Sequence, residues 1–220
     1  REGEDREGSL EAYFLDRRNE LIDLTIRHML LVIVSLLAAT LVAIPLGLLL
    51  ERAPRGAEVV IRTIGLFQTI PSIALLAFMI PLLGIGVRPA LVALFLYSLF
   101  PILRNTYTGI TDADPAAVDS ARSLGMTEGQ ILKYIRFPLA IPVIMAGVRT
   151  AAVITGGTAT LPAFIGAGGL GDPIVAGLAL SDSRMILSGA IPAAVLAFVV
   201  DGALGLLQRI VPPTGLEIAG

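Results

Sequence analysis

The sequence predicts an all-α membrane protein with five spanning helices, and three observations carry that expectation. First, 55% of the 220 residues are hydrophobic and the mean hydropathy is +0.83, which excludes an ordinary soluble domain. Second, apolar runs recur at or near the length of about 20 residues that a helix needs to cross a bilayer. Third, Lys and Arg gather in alternate loops, which is the pattern of a multi-pass chain with a fixed orientation.

The elements follow in order. Residues 1–27 form a polar N-terminal tail or an interfacial helix; Leu10, Phe14, Leu21 and Leu24 share roughly one side of a helix over residues 9–28. The first span is Met29 to Leu50 and the second Thr63 to Val87. The third begins at Pro89 and reaches about Ile110 with Arg104 at the interface. The fourth run, Phe137 to Gly171, is interrupted by Arg149, and the fifth, Met185 to Gln208, by Asp201. Residues 212–220 are a C-terminal tail. The 14 prolines and 23 glycines are tolerated inside membranes where neighbouring helices satisfy the freed backbone groups. Prolines within the runs suit kinked helices around a gated cavity.

Arg52, Arg55 and Arg62 lie between spans one and two. Arg122, Lys133 and Arg136 lie between spans three and four, with Arg104 at the border, whereas the other loops hold only Arg88 and Arg184. The rule that positive loops stay inside then puts the N-terminus outside and the C-terminus in the cytoplasm. The arginines of the tail argue the other way, but eight acids accompany them. The first residues are charged and show no short apolar core with a small-residue cleavage site.

Much chemistry is excluded. Lys133 is the only lysine, so no Walker A loop exists and an ATP-driven process needs a separate ATPase. One histidine, His28, and no cysteine preclude a metal cluster and disulfides; His28 reads as an interfacial or packing residue. No basic patch suits nucleic acid. Gly166-Ala167-Gly168-Gly169-Leu170-Gly171 matches G-x-G-x-x-G, but no strand precedes it and no acid follows at ribose distance, so it reads as a turn or re-entrant gate near the outer surface. Arg149 and Asp201 sit at similar depth, roughly 15 Å from the inner ends of their spans. They are expected to pair, with Glu51 a competing partner for Arg149. The pair serves packing or lines the substrate path.

The segment between spans three and four is polar and has its own punctuation. Asp114-Pro115 reads as an N-cap and first-turn proline. Gly125 breaks that helix, and Thr127 with Gln130 has the form of a capping box. Pro138 is expected to end or kink the second helix by restricting Phe137. The result is a knob of two short helices over residues 114–137.

Asp119-Ser120-Ala121, three residues, Gly125, nine residues, then Ile135-Arg136-Phe137-Pro138 resembles the EAA loop of ABC importer permeases. The spacing matches throughout, with Asp119, Ser120 and Phe137 departing from the usual Glu, Ala and Leu. Four further segments are similar to permeases for quaternary-amine osmoprotectants such as glycine betaine, choline and carnitine. They are Gln68 to Ser72, Pro101 to Ile110 (PILRNTYTGI), Gly157 to Leu161, and Ile165 to Asp172 (IGAGGLGD). This resemblance covers about His28 to Val211. It implies a type I ABC importer transmembrane domain over 28–211 in a bacterial inner membrane. Its implied partners are ATPase subunits that bind ATP and Mg, a second permease copy, and an extracytoplasmic substrate-binding protein or fused receptor domain. The chain itself then carries no cofactor and is not an enzyme.

The resemblance further implies that Asp119, Ser120, Ala121, Arg122, Gly125, Met126, Ile135 and Pro138 couple to the ATPase. A side chain at Gly125 is expected to collide in the docked corner. Gln68, Ser72, Tyr97, Tyr107, Thr155, Thr158 and Thr160 are the candidates for a substrate path, with helix packing the competing role for each. With no Trp and four Tyr, an aromatic cage for a trimethylammonium group is poorly supplied, so selection falls to the receptor. The same machine for methionine, or a self-contained channel or ion-coupled carrier, are the alternatives.

Overall fold

A computed structural model describes residues 10–210; the C-terminal tail 212–220 lies outside them. Among the described residues every regular element is helical. A short helix α1, Leu10–Asp16, meets α2, Arg18–Leu50, at a joint on Arg17. The spanning helix therefore begins well before Met29, and residues 18–28 are its first turns rather than a separate surface element. Arg17 holds the joint with its guanidinium 5.0 Å from the Tyr13 ring centre and 3.5 Å from Glu20.

The segment expected as the second span is bent, not straight. Helix α3, Pro54–Leu66, continues through a 3-10 turn at Phe67–Thr69, and α4, Ser72–Leu83, leaves at 100° to it. The cause is Ile70-Pro71: the proline ring forces its predecessor out of the helical region, and Ile70 stands at ψ 128°. The third span, α5, Val87–Thr111, lies centrally against α2 and α8, the latter spanning Phe137–Thr158. Small residues let these helices approach closely. A Cβ added at Gly47 would lie 2.6 Å from Thr106, and one at Gly147 would lie 2.6 Å from Asn105 Cβ and 2.8 Å from the Pro101 carbonyl.

Between α5 and α8 stand α6, Pro115–Ser123, and α7, Glu128–Ile131. A π-helical turn, Leu132–Arg136, joins α7 to α8, so Glu128–Thr158 is one 31-residue helix. The helix therefore does not end at Pro138, one of the two outcomes expected there. Phe137 stays helical at φ −64°, ψ −48°, because the wider π turn changes the hydrogen-bonding register just before the residue that has no N–H. The fourth run does not stay helical to Gly171. After Thr158 it passes through a 3-10 turn, Leu161–Ile165, and a glycine segment into the short helix α9, Gly171–Leu180. Helix α10, Ser183–Ile210, completes the described fold. Among the described residues four helices are long and apolar enough to cross a membrane, and the bent α3–α4 pair has the length and composition of a broken span or a re-entrant loop.

Candidate functional site: a capped corner on a continuous helix

The knob is built from local caps. Asp114 Oδ1 accepts the Ala116 N–H at 3.0 Å. At the other end of α6 the Gly125 N–H bonds the Arg122 carbonyl at 3.0 Å and the Met126 N–H bonds the Ala121 carbonyl at 3.2 Å. That paired pattern is a Schellman close, which requires its glycine at positive φ; Gly125 has φ +83°. Met126 and Ile135 then pack on the small core of Val118, Ala121 and Ile131. Thr127 and Gln130 close a reciprocal capping box. Arg122 spans the corner, reaching Asp119 at 3.1 Å and Glu128 at 3.0 Å. Each of these exposed pairs contributes at most about 1 kcal/mol.

Asp119, Ser120, Arg122, Leu124 and Gly125 are left exposed, and Leu124, 83% exposed, forms the tip. Within this chain nothing lies within 4 Å of a Cβ at Gly125, so the glycine answers to backbone conformation and not to an internal clash. Pro138 is half-buried in the first turn of α8. Arg136, in the π turn, pairs with Glu51 at the end of α2, and both side chains are mostly buried. Glu51 is thereby occupied, and Arg149 pairs instead with Asp201, Nε to Oδ1 at 2.5 Å and Nη2 to Oδ2 at 2.7 Å, tying α8 to α10.

The polar path candidates are dispersed. Gln68 donates to the Tyr97 carbonyl at 2.9 Å, and the Tyr97 hydroxyl donates to the Ile70 carbonyl; these two residues brace the bend between α3 and α4. Thr155 is fully buried against Ser98, 2.6 Å away. Thr158 and Thr160 donate to carbonyls on their own turns. Ser72 is half-buried at the start of α4, while Tyr107 packs far along α5 on a different cluster from Tyr97.

Sequence reasoning missed how the glycine segment is held. Gly166, Gly168 and Gly169 all have positive φ. Arg27 Nε donates to the Ala167 carbonyl at 3.0 Å, and buried His28 places Nε2 3.1 Å from the Gly156 carbonyl. A Cβ at Gly168 would meet Arg27 at 2.7 Å, and one at Gly171 would meet the Thr160 carbonyl oxygen at 1.9 Å. The adjacent polar pair Arg27-His28 before an apolar run was the available signal, but nothing local names its distant partner. Burial pushes the Asp172 carboxyl above the usual aspartate range, against the pull of nearby Arg27.

Residues 43–213 match the family described as binding-protein-dependent transport system inner membrane component. The choline transport system permease protein OpuBB of Bacillus subtilis is 46% identical over 198 residues, 90% of this chain and 91% of the relative. The carnitine transport permease protein OpuCB of Listeria monocytogenes is 43% identical over 211 residues, 96% and 97% of the two chains. The osmoprotectant import permease protein OsmW of Salmonella typhimurium is 43% identical over 210 residues, 93% and 98%. Among solved structures, an inward-facing MetNI methionine ABC transporter aligns with TM-score 0.76 over 87% of this chain and 96% of that one, at 21% identity, a likeness of fold.

Proposed function

Because the chain belongs to the family of binding-protein-dependent transport system inner membrane components, we propose that it carries betaine-like quaternary-amine osmolytes into the cell by alternating access. It is a permease subunit of an ABC importer, and hydrolysis belongs to separate ATPase subunits. Three relatives at 43–46% identity that are named for choline, carnitine and osmoprotectant transport support this cargo. The likeness to a methionine transporter bears on fold and not on solute.

The observation that carries the mechanism is the unbroken helix from Glu128 to Thr158, whose cytoplasmic end is the capped corner. In this reading the exposed Asp119, Ser120, Arg122 and Leu124 seat in a cleft on the ATPase, which binds ATP and Mg. Ala121, Met126 and Ile135 keep the corner rigid beneath them. Closure of two ATPases draws two such knobs together, one from each of two permease copies. A helix of 31 residues transmits that displacement over about 45 Å. Arg136–Glu51 passes it to α2, and Arg149–Asp201 passes it to α10. The orientation has the knob in the cytoplasm, the N-terminus outside and the C-terminus inside, supported by the arginines that flank α3 and populate the knob. Capture of the trimethylammonium group in an aromatic cage is left to an extracytoplasmic receptor, since the chain has few aromatic residues to build one.

The test is uptake into proteoliposomes holding this chain, its ATPase and its receptor, with labelled glycine betaine, choline, carnitine and methionine offered in parallel. ATP-dependent uptake of a quaternary amine is expected. Uptake without ATP would replace the reading with a channel or carrier, and ATP-driven uptake of methionine alone would leave the machine with another cargo.

A further inference from the structure

Arg149 and Asp201 are placed where the membrane tolerates charge least. Arg149 lies about 18 Å along α8 from Phe137, and Asp201 about 14 Å from the Ile210 end of α10, which puts both near the middle of a core about 30 Å thick if those ends mark its inner boundary. Yet they are not sealed in the bundle: their side chains are 41% and 30% exposed. They open on a shallow surface depression of about 530 Å³ whose wall includes Ala146, Thr150, Val153 and Gln208. A charge facing lipid at that depth costs about 2.5–3.5 kcal/mol on insertion scales, and mid-span side chains have no short route to an interface.

The surface around the pair is mixed: Val153 on α8 and Phe198 and Leu206 on α10 are 43%, 79% and 60% exposed, with polar and small positions among them. Thr150 is exposed beside it, and Gly157, two turns further along α8, has open space where a side chain would be. On α2, by contrast, the outward positions carry Leu37 and Leu41, 58% and 73% exposed. On α10 a Cβ at Gly205 would lie within 3.2 Å of the Arg149 guanidinium, so bare backbone gives the cation room. The candidates chosen from sequence for the substrate path are mostly spent on internal hydrogen bonds; this pair is not fully spent. Asp201 takes Nε and Nη2 of Arg149, which leaves Nη1 for another acceptor, and each carboxylate oxygen retains a lone pair.

Resting on the proposed osmolyte-import reading, we infer that the α8–α10 face around Arg149 and Asp201 is a wall of the solute path and a binding station for a zwitterion. The carboxylate of a betaine-like solute meets Arg149 Nη1, and its quaternary ammonium lies against Asp201. An electrically neutral ligand on a neutral ion pair adds no net charge to the middle of the membrane. A purely cationic solute such as choline adds one and loses the guanidinium contact, so zwitterions are held more tightly here.

The chain has no cysteine, so single cysteines report cleanly. Thr150→Cys, Val153→Cys and, as the lipid-facing reference, Leu41→Cys are placed singly in the permease–ATPase complex in proteoliposomes. The probe is a membrane-impermeant trimethylammonium methanethiosulfonate. Labelling of the first two at least tenfold faster than Leu41→Cys is expected, slowed several-fold by saturating glycine betaine and less by choline. Equal rates at all three sites would overturn the inference, as would labelling indifferent to both solutes. Disulfide formation between Thr150→Cys residues of two copies, with no labelling, would also overturn it and make this face a dry interface. Uptake by the unsubstituted chain with its ATPase and receptor is measured alongside: its absence removes the osmolyte reading, whereas normal uptake with an unlabelled Thr150→Cys removes only this site.

Discussion

The conformation of Gly125 gives a prediction with an internal control. Its φ of +83° belongs to the left-handed region, where an ordinary L-residue costs about 1–2 kcal/mol. No atom of the chain lies within 4 Å of a Cβ there, so substitution adds no internal clash to that backbone cost. A penalty of 1–2 kcal/mol depopulates the closed corner by a factor of roughly 5–30, with β-branched residues worst and Asn and Asp least affected. The expected order for ATP-driven uptake per ATP hydrolysed is therefore Gly, Asn, Ala, Val, with Gly125→Val reduced at least fivefold. Uptake and hydrolysis are read together in proteoliposomes, and membrane insertion is verified for each variant. A collision with the docked ATPase predicts the opposite order for the middle pair, since Asn is larger than Ala. Wild-type coupling in Gly125→Val would refute the conformational argument, and Ala outperforming Asn would transfer the constraint to the docking surface.

Two further outcomes follow. Glu51→Gln leaves the mostly buried Arg136 without its anion and is expected to lower stability by about 1–3 kcal/mol, seen as a reduced Tm in detergent together with weakened coupling. An unchanged Tm would mean that the π turn is held without this pair. Asp172 has its carboxyl raised by burial, so the protonated form is the one favoured by the fold. Its stabilising contribution is complete below the ordinary aspartate pKa of about 3.9 and is lost as pH rises through the raised value. Wild type is therefore expected to lose Tm relative to Asp172→Asn as pH climbs from the ordinary aspartate range, and parallel profiles for the two proteins would contradict it.

What could be read from the chain itself was what neighbours within a few residues decide. Apolar runs bounded by arginines mark spans because the cost of charge in hydrocarbon is a property of the run alone. The knob was equally legible: Asp114-Pro115, Gly125 and Thr127 with Gln130 act over two to four residues, and each cap forms where its residues stand. Proline was where local reasoning divided. It removes a donor and restricts its predecessor, but whether the chain breaks, as at Pro71, or runs on through a π turn, as at Pro138, depends on what braces the neighbouring backbone. At Pro71 the brace is Tyr97, 27 residues from the Ile70 carbonyl it bonds. Before Pro138, Arg136 in the π turn is tied to Glu51 across 85 positions.

The same distance separates the remaining surprises from the sequence. Arg27 reaches Ala167 across 140 residues and His28 reaches Gly156 across 128, so the glycine segment is held by a helix that no spacing rule connects to it. Residue chemistry alone settled that this chain crosses a membrane, that its knob is a capped corner, and that it has no ATP-binding lysine loop. Tertiary structure chose the partners of Glu51 and Arg149 and left the Arg149–Asp201 pair open to a shallow surface depression. The reason is physical: capping and hydrophobicity are short-range, whereas the choice among several possible ion pairs is made only when the helices bring their side chains within reach.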